Sequence, residues 1–546
     1  MTPHRAATLC AWMTSLLLVG SACRRVPTPT AQATPVESPV QPHVPEPVAP
    51  IMIPVVEVAA PTAREIVRHI TDSVLVAPMW RNARWGLLII DATTGDTIVT
   101  RDADRLFMPA SNQKLLTSAV ALQQLGPDYQ WRTPVLLRGH QHGGTWNGDL
   151  LVSGTGDPSF SDTLRSGDAS SAFAPVVRAL ARRGITRITG SVLTVGDAFP
   201  GATTGYGWEY DDSDEPYGAT VDELLYNEGE LTLTVRGGRR PGAPLRVTRT
   251  PTATYPPLVM HGVTRAASVR GARLRAAYDS IGATIEITGT LGVGDSARFS
   301  LAFRHPNDAF RAALREKLVG AGIRVLGRTR TAREADAPRD RNSARAKRIS
   351  VATMDTLTVL ESLPLREILP RMQKPSQNQI AELLFRTTGR VVSGDGSADS
   401  ARAVGLRTMA MWGVTSADVA YRDGSGVSRH DYVTPRALIS TLDYMRRSPW
   451  FAVYRDALPL AGVDGTIANR LKGTLAEGNA HAKTGTLDKA RSLSGYVTSV
   501  DGHLLLFSML CNNFTVPNRE VERVHDLLVS TLASLRFADG GVAPGR

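Results

Sequence analysis

From Thr62 the chain reads TAREIVRHITDSVLV, with Ile66, Val67, Ile70, Val74 and Leu75 at the three-and-four spacing of a helix lying on a core. WGLLIIDATTGDTIVT, from Trp85, is two apolar runs joined at Gly95-Asp96, a pair of strands. FMPASNQKLLTSAVALQQLG, residues 107–126, returns to helical spacing and gives Leu115, Leu116, Ala119, Val120 and Leu122 as a buried side. Between about 130 and 335 the texture changes to short alternating runs such as GDLLVSG, ELTLTVRGG and ATIEITGTLGV, cut by Gly, Pro and Asp. Helical signals resume with LREILPRM, IAELLFRTTG, SARAVGLRTMAMWG and TPRALISTLDYMRR. Strand-like ARSLSGYVTSVDGHLLLFSML and the helix REVERVHDLLVSTLASLRF then close the chain. The expected architecture is one α/β unit in two pieces, 62–130 and 336–537, split by a β-rich insertion over 131–335 and followed by a tail at 538–546. No repeat of fixed period is present.

Length agrees with several cores, since 546 residues with 42% hydrophobic content exceed one ordinary domain. The first residues change the picture in another way. RAATLCAWMTSLLLVGSAC, residues 5–23, has a basic start, an apolar run and small residues before Cys23, the layout of a secretion signal over 1–22. The run is too short to span a bilayer comfortably. Gly20-Ser21-Ala22-Cys23 is similar to a bacterial lipoprotein signal, in which Cys23 is lipidated. Gly20 stands where leucine is usual, so a lipid anchor at Cys23 and plain cleavage both stay open. Residues 23–61 are proline-rich and nearly uncharged, a semi-rigid tether reaching at most about 3 Å per residue. Cys511 is the one cysteine beyond this leader, so no disulfide framework is available in spite of export.

The formal charge of +11 is concentrated in part in RTRTAREADAPRDRNSARAKR, residues 328–348. Without aromatics or a nucleic-acid motif this reads as a solvated linker, and no nucleic-acid partner is expected. A positive balance favours association with an anionic cell-wall polymer.

Chemistry enters with Ser111 and Lys114, three apart and on one helical face. A hydroxyl is a poor nucleophile at neutral pH, and a neutral amine beside it takes its proton. A helix N-terminus adds partial positive charge where an oxyanion would form. S-x-x-K alone is weak. Two further elements follow in order, Ser376-Gln377-Asn378 after Pro375 and Lys483-Thr484-Gly485-Thr486 opening a strand-like run. The first reads as a loop aiming a second hydroxyl and an amide into a cleft. In the second, Lys483, Thr484 and Thr486 hold a carboxylate, and Gly485 lets a substrate lie flat along the strand edge. The N–H groups of Ser111 and Thr486 polarise the scissile carbonyl. Repulsion between the two lysines would depress one pKa. His140 and His142 have metal-like spacing but no third ligand, and read as an exposed turn; no metal or cofactor is expected. Asp423 and Asp464 read as turn formers.

With these residues in place the sequence resembles the D-Ala-D-Ala carboxypeptidase/endopeptidase family of class C low-molecular-mass penicillin-binding proteins. PASNQKLLT, SGTGDPSF, YRDGSGVSRHDYVTP, LPLAGVDGT and AKTGT…SLSGYV look like its blocks, in its order. The resemblance implies a serine β-lactamase/D,D-peptidase-like α/β fold, an antiparallel sheet flanked by helices. It also implies peptidoglycan stem peptides as substrate and β-lactams as inhibitors. Ser111 would then attack the penultimate D-alanine carbonyl with Lys114 as base, Ser376 would relay a proton and Asn378 would bind the substrate amide. Trp208 and Asp211 in GWEYDD, with Arg429, resemble the family's pocket for a diaminopimelate side chain. A serine β-lactamase or esterase of the same fold remains an alternative, as does a non-catalytic wall-binding protein.

Overall fold

Alternation along the strands assigns the layers. The computed structural model describes residues 61–266, 273–279, 282, 284–327, 354–538 and the backbone of 541–542. The leader, Cys23 and the basic stretch 328–348 lie outside the described residues. Five strands form the main sheet: β1 (Arg84–Asp91), β2 (Thr97–Arg101), β3 (His481–Leu487), β4 (Ala490–Thr498) and β5 (Leu504–Asn512), in the order β3-β4-β5-β1-β2, with antiparallel neighbours. Its odd and even positions feed different cores. Leu87, Ile89, Leu505, Phe507 and Met509 pack with helices α1 (Ala63–Leu75) and α8 (Asn518–Ser534). Leu88, Leu506 and Leu510 pack on the opposite face. Both faces are covered, which is why LLLFSML reads as a continuous apolar run.

On that second face lie α2 (Gln113–Leu125), α3 (Leu365–Gln373), α4 (Asn378–Ser393), α5 (Ala398–Ala410), α6 (Pro435–Arg447) and α7 (Phe451–Ala457). The helix expected from Thr62 is present, with Thr62 and Glu65 forming a capping box. α2 departs from the one-sided helix its spacing suggests. Every residue from Gln113 to Leu122 is buried, because α4, α5 and α6 close over the side that would otherwise face water. Its polar side chains are satisfied internally. Thr117 Oγ1 donates to Gly424 O at 2.7 Å, and Gln373 Nε2 donates to Ser118 Oγ at 2.8 Å.

A separate hydrophobic core gathers residues from Val135 to Val325, joined by Leu357 and Leu360. It contains a six-stranded sheet built on Arg132–His142 and Thr145–Ser153, a three-stranded sheet, and a four-stranded sheet. The strand Asp355–Glu361 pairs with Arg132–His142, so chain beyond the basic stretch also contributes to this sheet. Two helices, Ala174–Arg182 and Pro306–Gly320, bury apolar faces in the same core, so the segment is not purely strands and turns. His140 and His142 are exposed at the end of a strand rather than in a turn. Cys511 is buried and free. Among the described residues no helix is long and apolar enough to cross a membrane.

Candidate active site

Ser111 occupies a short 3-10 turn, Ala110–Asn112, that feeds directly into α2, and no side chain caps this helix start. Asn112 N already donates to Pro109 O at 3.2 Å and Gln113 N to Ala110 O, so what the uncapped start offers a ligand is its partial positive charge. Ala110 is held at φ 48°, in the left-handed region. The surroundings enforce it. Ser492 Oγ donates to Pro109 O at 2.7 Å, and Asn112 Nδ2 to Lys483 O at 2.8 Å. A Cβ on Gly485 would lie 2.4 Å from Pro109 O, and one on Gly426 would lie 1.9 Å from Ala110 O. Gly485 is thus demanded by the approach of β3 to the serine turn, a reason separate from the flat substrate path expected of it. Strain maintained by packing on both sides is what a pre-set nucleophile requires.

Lys114 lies one turn along α2, with Nζ 2.9 Å from Ser111 Oγ, 2.7 Å from Asn378 Oδ1 and 2.8 Å from Ser425 O. The last two are acceptors only. A neutral amine donates its two protons to them and turns its lone pair to the Ser111 hydroxyl. Burial draws the Lys114 pKa down to about 7, against the opposing pull of Asp423, Glu382 and Asp431. Ser376 and Lys483 repeat the pairing at 2.8 Å, and Lys483 Nζ is also 2.9 Å from Thr484 O. Burial first, and repulsion from Lys114 second, hold Lys483 well below the ordinary amine range. Desolvation therefore outweighs the lysine–lysine repulsion emphasised by the sequence reading. Ser376 sits in a turn with φ 67°, and Asn378 is the first residue of α4, just after the Gln377 cap.

β3 is an edge strand. Ala482 N–H points off the sheet to Pro459 O at 2.9 Å, and strand alternation puts the N–H groups of Thr484 and Thr486 on the same open side. Ser111, Ser376, Asn378, Thr484 and Thr486 line one cleft of about 560 Å³. Thr484 Oγ1 is 2.7 Å from Thr466 Oγ1, on the loop that Asp464 fixes by accepting from Leu460 N at 2.9 Å and pairing with Lys374.

The far wall differs from expectation. Glu209, Asp212, Tyr217 and Arg429 line the cleft, and Arg429 pairs with Glu209. Asp211 is exposed outside that lining. Trp208 instead donates its indole N–H to Asp423 Oδ2 at 2.8 Å. The segment turns through short 3-10 pieces at Tyr210–Asp212 and Pro216–Gly218, which exchange the inward positions for Glu209 and Asp212. Asn378 Nδ2 donates to Tyr217 O at 2.8 Å and Oδ1 accepts from Lys114, so its amide is already engaged at both ends.

Three buried acids support the site: Asp423, which the sequence offers as a turn former, and Glu382 and Asp431, whose roles it does not announce. Asp423 accepts from Gly426 N at 2.6 Å and Ser428 N at 2.8 Å, organising the loop as a turn former. Glu382, one turn after Asn378 on α4, accepts from Gly424 N at 2.9 Å and Ser425 N at 2.7 Å. It so places the Ser425 carbonyl that holds Lys114. Asp431 accepts from Arg422 N at 2.6 Å, and burial and Asp423 push its pKa well up.

A base-paired serine beside an open strand edge serves acyl transfer through a covalent ester, and on an antiparallel sheet flanked by helices it defines the penicillin-recognising serine hydrolases. The D-Ala-D-Ala carboxypeptidase 3 (S13) family matches residues 67–535, and the chain belongs to it. It is 30% identical over 462 residues to a D-alanyl-D-alanine carboxypeptidase of Actinomadura sp., covering 82% of this chain and 81% of that protein. It is 26% identical over 468 residues to D-alanyl-D-alanine carboxypeptidase DacB of Haemophilus influenzae, covering 83% and 90%. The crystal structure of penicillin binding protein 4 from Haemophilus influenzae shares the fold, with TM-score 0.66, 22% identity and coverage of 84% of this chain and 99% of that one.

Proposed function

We propose that the protein is a serine D-Ala-D-Ala carboxypeptidase and D,D-endopeptidase of peptidoglycan, with Ser111 as nucleophile and Lys114 as its base. The three-point seat of Lys114 Nζ carries this reading, because it aims an amine lone pair at Ser111 Oγ. As Ser111 attacks the carbonyl of the penultimate D-alanine, its proton passes to Lys114. The oxyanion forms against the N–H groups of Ser111 and Thr486. The proton held by Lys114 then travels on through Ser376, which gives its own hydroxyl proton to the departing amine and takes the one from Lys114. Lys483 holds Ser376 in place at 2.8 Å, and Lys114 is again neutral for the attack of water. Hydrolysis of the ester by water returns the free enzyme. Release of D-alanine and cleavage of a cross-link differ only in the leaving group.

The terminal carboxylate sits at Lys483, Thr484 and Thr486. Its arrival supplies the counter-charge that Lys483 lacks in the empty cleft, raising that amine's pKa on binding. Asn378 is assigned to holding Lys114 in register. Glu209, Asp212 and Arg429 are assigned to the charged end of the stem side chain, with Trp208 behind them steadying Asp423 and Asp211 on the outer rim. The catalytic unit comprises 62–130 and the chain that follows the strand Asp355–Glu361 as far as 537, interrupted by an insertion that begins at 131 and takes in that strand. Residues 1–22 direct export to the periplasm or cell envelope, and 23–61 tether the folded part there, with lipid attachment at Cys23 and plain cleavage of the signal as the two routes open to it.

A fluorescent penicillin and a D-Ala-D-Ala-terminated stem peptide test the assignment together. The protein should take the label covalently and release D-alanine, and Ser111→Ala should abolish both. Label retained by that variant would overturn it. Rapid turnover of the penicillin would instead indicate a β-lactamase. Digestion of whole peptidoglycan with a falling cross-linked fraction checks the endopeptidase half.

A further inference from the structure

We propose that one face of the insertion docks the enzyme on an anionic lipid surface. The three-stranded sheet there comprises Glu230–Arg236, Arg246–Thr250 and Ser296–Ala302. Its register places Arg236 opposite both Arg246 and Ser296, and Arg298 opposite Thr234. Arg236, Arg246 and Arg298 therefore share one face with Thr234, Thr248 and Ser296, and Arg239 and Arg240 extend it from the connecting loop.

All five arginines are exposed, and among the described residues no carboxylate pairs with any of them. Glu230 shares the face but lies at the far end of its strand, and Asp295, on the adjoining turn, makes no ion pair with them. Arginines directly opposite one another on neighbouring strands repel at about 5 Å between Cβ atoms, which lowers stability unless an anion comes between them. Arg239, Arg240 and Arg246 also wall a concavity of about 400 Å³. Guanidinium forks and hydroxyls around a hollow match the oxygens of a phosphate diester.

A second observation selects a lipid over a soluble phosphate polymer. Val263 bridges to Pro244 of the arginine loop, and Val259, Met260 and Val263 are 38%, 39% and 48% exposed. An aliphatic side chain bridged to the arginine loop, with Val259 and Met260 exposed a few residues before it in the chain, suits a bilayer interface, where headgroup phosphate and acyl carbon lie within one layer.

Co-sedimentation of the full chain carrying Cys23→Ala, so that no lipid anchor contributes, with phosphatidylcholine vesicles, with and without phosphatidylglycerol, tests the proposal. This chain should bind the anionic vesicles at low salt and release as salt rises. The variant R236S/R239S/R240S/R246S should lose at least about tenfold in partition while D-alanine release from a soluble stem peptide stays unchanged. V259S/M260S/V263S should weaken the binding that survives high salt. If the fourfold variant fails to take the penicillin label, and so has not folded, R239E/R240E in the exposed loop makes the same comparison. Equal binding with and without the arginine substitutions would overturn the proposal, as would equal binding to neutral vesicles. Capture by poly(glycerol phosphate) without vesicle binding would overturn it in favour of a wall polymer. None of these outcomes depends on whether Ser111 is the nucleophile.

Discussion

The cleft and the outer face of the insertion are both rich in cationic side chains, and they treat charge in opposite ways. Lys114 and Lys483 are fully buried and have lost most of their hold on a proton. Arg236, Arg239, Arg240, Arg246 and Arg298 are exposed, and a guanidinium stays charged at any ordinary pH. An amine can be turned into a base by removing water, and a guanidinium cannot. The residue type used in each place therefore follows the job that place can do.

The largest effect expected from breaking this contrast is at Lys114. Lys114→Arg keeps a cation and removes the base, and should slow penicillin acylation by about a hundred- to ten-thousand-fold. A rate near wild type would show that some other group takes the Ser111 proton. Next is Gly485→Ala. Its methyl meets Pro109 O and Ser492 Oγ, so β3 must retreat from the serine turn. Thermal unfolding should show a loss of about 1–3 kcal/mol, and labelling should slow as the turn shifts.

pH sharpens the same comparison. With the Lys114 pKa near 7, acylation should rise with pH through about 7 and fall roughly tenfold per unit below it, since protonation removes the lone pair. Stability should also rise with pH from about 7 toward the ordinary lysine range, because there the unfolded chain holds a proton that the folded chain has released. A flat acylation profile between pH 6 and 8, measured by stopped-flow labelling, would contradict the neutral-amine reading. The smallest effect belongs to an exposed pair such as Arg436 and Asp104, whose side chains are 51% and 67% exposed. Arg436→Ala should change stability by less than about 1 kcal/mol in denaturant unfolding.

Much of the cleft was legible because its reactive side chains sit at fixed spacing on regular elements. Ser111 and Lys114 share a helix face, Asn378 opens a helix after a proline-marked turn, and Lys483 lies on a strand. The structure brings the three segments together around the two serine–lysine pairs. Glu382 carries no such signal, since its role depends on a loop 42 residues further along the chain folding onto its carboxylate. Trp208 and Asp211 were the residues expected on the far wall, where Glu209 and Asp212 line the cleft, because irregular backbone has no period from which to read the inward side. The all-round burial of α2 is equally invisible locally, being fixed by α4, α5 and α6 closing over its polar side. The reason for Gly485 lies in the carbonyl of Pro109, several hundred residues away in the chain.

The open side of β3 has a further meaning. An exposed strand edge invites pairing with any extended chain, and proteins usually suppress such edges to avoid sticking to one another. Here Pro459 and the Leu460–His481 bridge cover the start of the strand, leaving only a short length around Thr484 and Thr486 uncovered. A peptide lying there becomes, for the lifetime of the complex, a sixth strand whose reach is cut short where Pro459 and Leu460 cover the start of β3. The same cover that protects the protein from its own kind thus leaves room for only a short stretch of extended peptide.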